Sequence, residues 1–293
     1  MKRLYILLFI IAILLSLSSC NKVDNKLSSE NDDAIPVINA FINRNGNTLE
    51  TRFIPPAGYE RKEYGIDTFT YYTRNLCLKP DCSKVLLYNG DEKGNQSVHA
   101  AVIDMEIGDR DLQQCADAVI RLIAEYQYAN EKYDEIGFHL TNGFYLPYNK
   151  WREGYRLVVD GNETYLSKTA SYDSGYDTFR RYLNMVFAYA GTLSLQNETQ
   201  FVENMNDIKV GDIFIQGGSP GHTVMVVDVA VNQEGNIAFL LAQSYMPAQD
   251  IHILKNPLYQ EDPWYYVSEL EDSIKTPQWI FNNKSLKSLS CLL

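Results

Sequence analysis

The stretch Asp212-Ile213-Phe214-Ile215, then Gly217-Gly218-Ser219-Pro220-Gly221, then His222-Thr223-Val224-Met225-Val226-Val227-Asp228-Val229-Ala230-Val231 decides the fold. The short apolar run predicts a strand, the Gly/Pro cluster a tight turn, and the β-branched run from His222 a second strand. Ile237 to Gln243 is apolar again, which predicts a hairpin partner across Asn232-Gln233-Glu234-Gly235-Asn236. Ile251 to Leu254 predicts one strand more.

Upstream the period changes. Leu112, Ala116, Val119, Ile120, Ile123 and Tyr126 fall on one stripe with helical spacing, which predicts a helix over 109–128. Asp111, with Gln114 three residues on, loosely matches a capping box. Tyr176 to Tyr189 predicts a second helix with a stop at Gly191. Residues 50–64 and 68–78 read as strand-like runs broken by Pro55-Pro56 and Gly58. Val85 to Tyr88 ends at the turn signal Asn89-Gly90, and Val98 to Ile107 resumes as a strand. A leading helix followed by an antiparallel sheet predicts an α+β fold, not a doubly wound parallel sheet.

Composition narrows the function classes. The 293 residues are 45% hydrophobic and 12% aromatic, too apolar for a disordered chain. The net charge of −11 argues against nucleic acid as a partner, because phosphate binding relies on Lys and Arg.

The N-terminus reads as an address. Met1-Lys2-Arg3 is basic, Leu4 to Leu15 is apolar, and Leu17-Ser18-Ser19-Cys20 follows. This ending resembles a bacterial lipobox, which implies a signal peptide over 1–19, cleavage before Cys20, and acylation of Cys20 with palmitate-type chains. Several acyl chains would anchor the protein to a membrane stably. The resemblance places it in the bacterial cell envelope, at the outer membrane on its periplasmic or surface face. Residues 20–34 then form the acylated start and a flexible tether, and 35–285 a single elaborated α+β domain. Loss of Lys2 and Arg3 takes the charge from −11 to −13.

Four cysteines remain. Cys77 and Cys82 are close enough to pair across Lys79-Pro80-Asp81, without the spacing of a metal knuckle. His99, His139 and His252 show no ligand spacing and no H-E-x-x-H occurs, so neither a metal nor a cofactor is expected.

Two nucleophile patterns compete. Gly217-Gly218-Ser219-Pro220-Gly221 spells G-x-S-x-G, but a nucleophile elbow needs a helix after the Ser and an N–H on the next residue. Pro220 has none, and a strand follows. Cys115 is the stronger candidate. It falls at a helix start, where the positive end favours a thiolate. His222 opens a strand after a Gly-rich turn and can serve as its base. Asp228 lies about 20 Å along the same strand, too far to orient His222. The hairpin brings residues near 243 opposite His222, so Gln243 is the expected orienter. Gln113 or Gln114 can lend an oxyanion donor, and Gln114, adjacent to the thiol, is the one expected to. A buried structural Cys115, sharing a face with Val119, Leu122 and Tyr126, is the competing reading.

Gly211-Asp212-Ile213-Phe214, Gly221-His222-Thr223-Val224, the hairpin and Gln243, with Gln114-Cys115 upstream, resemble papain-like amidases of the NlpC and CHAP types. The resemblance implies a helix plus antiparallel sheet with N-terminal strands and insertions. It also implies Cys115 as nucleophile, His222 as general base and acid, Gln243 as orienter, and an amide bond, such as one in a peptidoglycan stem peptide, as substrate. A second resemblance rests on Arg110-Asp111-Leu112-Gln113-Gln114-Cys115-Ala116-Asp117, Tyr189-Ala190-Gly191-Thr192-Leu193-Ser194 and Ala242-Gln243-Ser244-Tyr245-Met246-Pro247. These strings are similar to a family of uncharacterised Bacteroidetes-type lipoproteins, a domain of unknown function. The aromatic stretch Phe144-Tyr145 to Trp151, with Trp264-Tyr265-Tyr266, is a candidate groove for peptide or glycan. Tyr145, Trp151 and Tyr245 are its candidate substrate contacts. The alternative function is a non-catalytic lipoprotein that binds a glycan or protein partner on the same fold.

Overall fold

The apolar runs of the C-terminal half form strands of one large sheet, and the helices gather against it. The computed structural model describes residues 41–292 apart from 162 and 271. The signal peptide, Cys20 and the tether therefore lie outside the described residues. From the N-terminal side, α1 (Leu49–Arg52), β1 (Tyr59–Glu60), α2 (Phe69–Arg74) and β2 (His99–Val102) lead into α3 (Cys115–Ala129). A long run follows: β3 (Gly137–His139), β4 (Tyr145–Pro147), α4 (Tyr148–Arg152), β5 (Tyr155–Asp160), β6 (Glu163–Lys168), α5 (Tyr176–Tyr189), α6 (Thr192–Asn197) and β7 (Thr199–Phe201). The remainder comprises β8 (Ile213–Gln216), β9 (His222–Asn232), β10 (Ile237–Gln243), β11 (His252–Leu254), β12 (Tyr265–Tyr266), β13 (Ser273–Lys275), β14 (Ile280–Asn282) and β15 (Leu286–Leu289).

The main sheet runs β2-β11-β10-β9-β8-β15-β7, with β1 added to β9 and β12 to β10. Its pairings are antiparallel, and the chain is α+β. The central hairpin is the predicted one: β9 pairs β10 from Ile237↔Val231 to Ala242↔Met225. The Gly-rich segment 217–221 joins β8 to β9 and sets Gln216 opposite His222. A Cβ on Gly221 would meet the Gly218 carbonyl oxygen and Thr192 Oγ1 at 2.4 Å, so only glycine permits that approach.

The unbroken apolar character of β9 has a physical cause: both faces are covered. Met225 and Val227 join Val119, Ile123 and Leu240 in the core on one side. Val224 and Val226 join Phe214, Phe239, Leu241 and Phe281 on the other. Asp228, wholly buried, receives Arg61 Nε at 2.7 Å and Arg74 Nε at 2.9 Å and ties the N-terminal segment to β9.

Two expectations are corrected, and one pairing that the sequence leaves open is decided. Residues 50–64 and 68–78 are not mainly strands. Thr48 and Thr68 accept the N–H groups of Thr51 and Tyr71, both at 3.2 Å, and nucleate α1 and α2, leaving β1 as a two-residue remnant. The helix predicted from 109 begins only at Cys115. Asp111 does not cap it, because its Oδ1 accepts the Ala248 N–H at 2.7 Å, and Asp117 Oδ2 instead closes the helix start on the Gln114 N–H at 3.0 Å. No disulfide joins Cys77 and Cys82.

Candidate functional site

Cys115 is the first residue of α3. Its helix start is clamped to the segment after β10. Asp111 holds Ala248, and the Ser244 hydroxyl lies 2.9 Å from the carbonyl oxygens of both Gln113 and Gln249. This clamp sets α3 against the open end of the β9–β10 hairpin. The thiol meets the backbone amides of Ala116 and Thr223, the latter next to His222. Burial, then the neighbouring Asp117 carboxyl, push the Cys115 thiol up to about 11, against the pull of those amides.

His222 is 1% exposed. Its Nε2 lies 2.9 Å from Gln243 Oε1. The rings of Tyr245, Trp279 and Phe281 surround it at centroid distances of 4.9, 5.2 and 5.8 Å. This aromatic box desolvates the imidazole and lowers it to about 4, against the bond to Gln243. The structure thus brings Cys115, His222 and Gln243 into one neighbourhood with Tyr245, whose hydroxyl is raised first by burial and then by Cys115. No hydrogen bond joins the thiol to the ring.

Moving the thiol proton to the ring, from about 11 to about 4, is uphill by roughly 9 kcal/mol. Attraction between the two charges at contact offsets about 4 kcal/mol of that at an effective dielectric of 20. At neutral pH the site holds a thiol and a neutral imidazole.

The other candidates fare differently. Gln114 Nε2 gives one of its two protons to Asp111 Oδ1 at 3.0 Å. Gln113 keeps an uncommitted, buried Nε2, while its Oε1 accepts Arg121 Nη1 at 3.1 Å. Trp151 is core, packed on Tyr182 at 5.9 Å with Arg156 over its ring. Tyr145 is exposed on β4 beside His139, and neither it nor Trp151 has a ring contact with His222. Trp264 is buried with its Nε1 donating to the Ile54 carbonyl, so the expected aromatic groove does not form. Among the described residues no group of three His, Cys, Asp or Glu could hold a metal ion. Cavities of about 330 Å³, lined by Arg44, Cys82 and His99, and about 250 Å³, lined by Tyr265 and Glu269, both miss Cys115 and His222.

Sequence reasoning missed four residues here. Trp279 and Gln278 arrive from the turn before β14, and His252 from β11. Lys93 is buried, with Nζ 2.6 Å from Gln249 Oε1 and 5.1 Å from the Tyr245 ring centroid. Desolvation lowers it to about 8. Only the polar break that Gln278 makes beside Trp279 was a signal in the chain itself.

Fold and site together define an α+β domain with a helix-start thiol beside an imidazole–amide pair. The chain belongs to the family described as a domain of unknown function (4846), whose model matches residues 49–288. Comparison with curated proteins and with solved structures finds no match.

Proposed function

We propose that this chain is a papain-like thiol hydrolase of the NlpC/CHAP type that cleaves an amide bond in a cell-envelope peptide, held at the membrane by acylated Cys20. The observation that carries the reading is the 2.9 Å contact of His222 Nε2 with Gln243 Oε1 at the strand end nearest the helix-start thiol. An amide oxygen only accepts, so Nε2 carries the ring proton and Nδ1 keeps the lone pair. A neutral His222 is the form that can take a proton. Cys115 Sγ attacks the amide carbonyl as its proton passes to His222 Nδ1. The N–H groups at the α3 start, with Gln113 Nε2, face the developing oxyanion. The imidazolium returns the proton to the leaving amine, and water then cleaves the thioester. For the anchor, the support is the Leu17-Ser18-Ser19-Cys20 ending.

The test is incubation of the protein with peptidoglycan stem peptides, scored by mass for new amine and carboxyl ends. Cleavage that disappears in Cys115→Ala is expected. Absence of cleavage, or cleavage indifferent to Cys115→Ala, overturns the hydrolase. A second reading has an observation of its own: the buried, neutral thiol–imidazole pair suits a structural role in a lipoprotein that binds a glycan or protein partner. It expects binding of envelope fragments that survives Cys115→Ala.

A further inference from the structure

The orientation of the Gln243 amide is determined from outside the pair, starting from a backbone carbonyl. His252 is wholly buried on β11, and its Nδ1 lies 2.9 Å from the Asp250 carbonyl oxygen. A carbonyl cannot donate, so His252 Nδ1 carries the proton and Nε2 is an acceptor. That Nε2 lies 3.4 Å from Gln243 Nε2, and Gln278 Oε1 lies 2.9 Å from the same nitrogen. Two acceptors therefore claim the two amide protons of Gln243. Its oxygen is left for His222, and His222 must present Nε2–H. Burial keeps both imidazoles neutral near pH 7, at about 4 for His222 and about 3 for His252, so each ring holds one proton.

We propose that His252 and Gln278 are positioning residues that fix the Gln243 amide and, through it, the Nε2–H tautomer of His222. With the amide reversed, Gln243 would offer N–H to His222 Nε2, the ring proton would sit on Nδ1, and no lone pair would remain to receive the thiol proton. The catalytic consequence rests on the thiol-hydrolase reading, but the wiring itself does not.

The test is nitrogen-detected NMR of the histidine-labelled protein without substrate. His222 is expected as the Nε2–H tautomer and His252 as the Nδ1–H tautomer, each by at least about tenfold. The same tautomer at both rings, or Nδ1–H at His222, overturns the wiring. In the double variant His252→Leu/Gln278→Ala the preference at His222 should drop by at least about threefold. In Gln278→Glu, which keeps an acceptor, it should persist, and a merely structural role predicts no such split. If the double variant does not fold, the opposed tautomers of the wild type decide the matter alone. The expected tautomers in a protein that cleaves nothing refute the hydrolase and leave the wiring. Cleavage with the wrong tautomer does the reverse.

Discussion

His222 and Gln243 meet across neighbouring antiparallel strands, Nε2 to Oε1 at 2.9 Å, and neither is more than 2% exposed. A buried donor whose partner is removed keeps its full desolvation cost. Gln243→Ala should destabilise the fold by about 1–3 kcal/mol in urea titrations and, under the proposed hydrolase reading, abolish amide cleavage. Unchanged stability would show that water replaces the amide freely.

Acid should weaken the fold through His222. Its imidazole is held at about 4, below the ordinary 6.5, so the unfolded chain binds the extra proton first. The stabilisation is complete above 6.5 and is lost as pH falls towards 4. Between pH 7 and pH 4 the wild type should lose about 3 kcal/mol relative to His222→Phe. Parallel stability curves for the two proteins would contradict the desolvated ring.

Asp117 acts in the opposite direction. Burial raises its carboxyl to about 8 from an ordinary 3.8, so the folded state keeps a proton that the unfolded chain releases. Stability from this group is complete below 3.8 and is lost as pH rises through 8. Asp117→Asn should gain stability relative to the wild type as pH rises from 4 through 8. Without that neighbouring charge, the Cys115 thiol should also come down from about 11, read as an earlier rise in its alkylation rate with pH.

Asp228 should matter for stability and not for chemistry. Removing it leaves the Arg61 and Arg74 guanidinium groups without their shared acceptor. Asp228→Ala should cost about 3–5 kcal/mol in denaturant unfolding. Under the proposed reading, envelope-peptide cleavage per folded molecule should stay near wild type, and its selective loss would place Asp228 in the site.

Strands and helices whose signals are local were legible in the sequence. The β-branched run from His222 and the polar stop at Gln243 identify both the hairpin and the residue that contacts His222, and the second helix lies at Tyr176–Tyr189 as its spacing predicts. Signals that depend on distant partners were not. Asp111 is a good cap in isolation, yet Ala248 claims it. Trp151 and Trp264 carry the same amphipathic signature as groove residues, and only packing distinguishes a core indole from a binding one. His252 and Gln278 gain their roles only when β11 and the turn before β14 close on Gln243.

The order of these parts along the chain has a temporal consequence. Cys115 precedes Trp279 by more than half the length of the chain. At about 5–20 residues per second, the cysteine emerges roughly ten to thirty seconds before Trp279 and Phe281, which complete the box around His222. Until then the box that desolvates His222 is incomplete. A chain truncated before Gln278 would carry Cys115 and His222, but neither the complete aromatic box nor the full set of acceptors around Gln243. Any reactivity peculiar to this site is therefore a property of the finished chain.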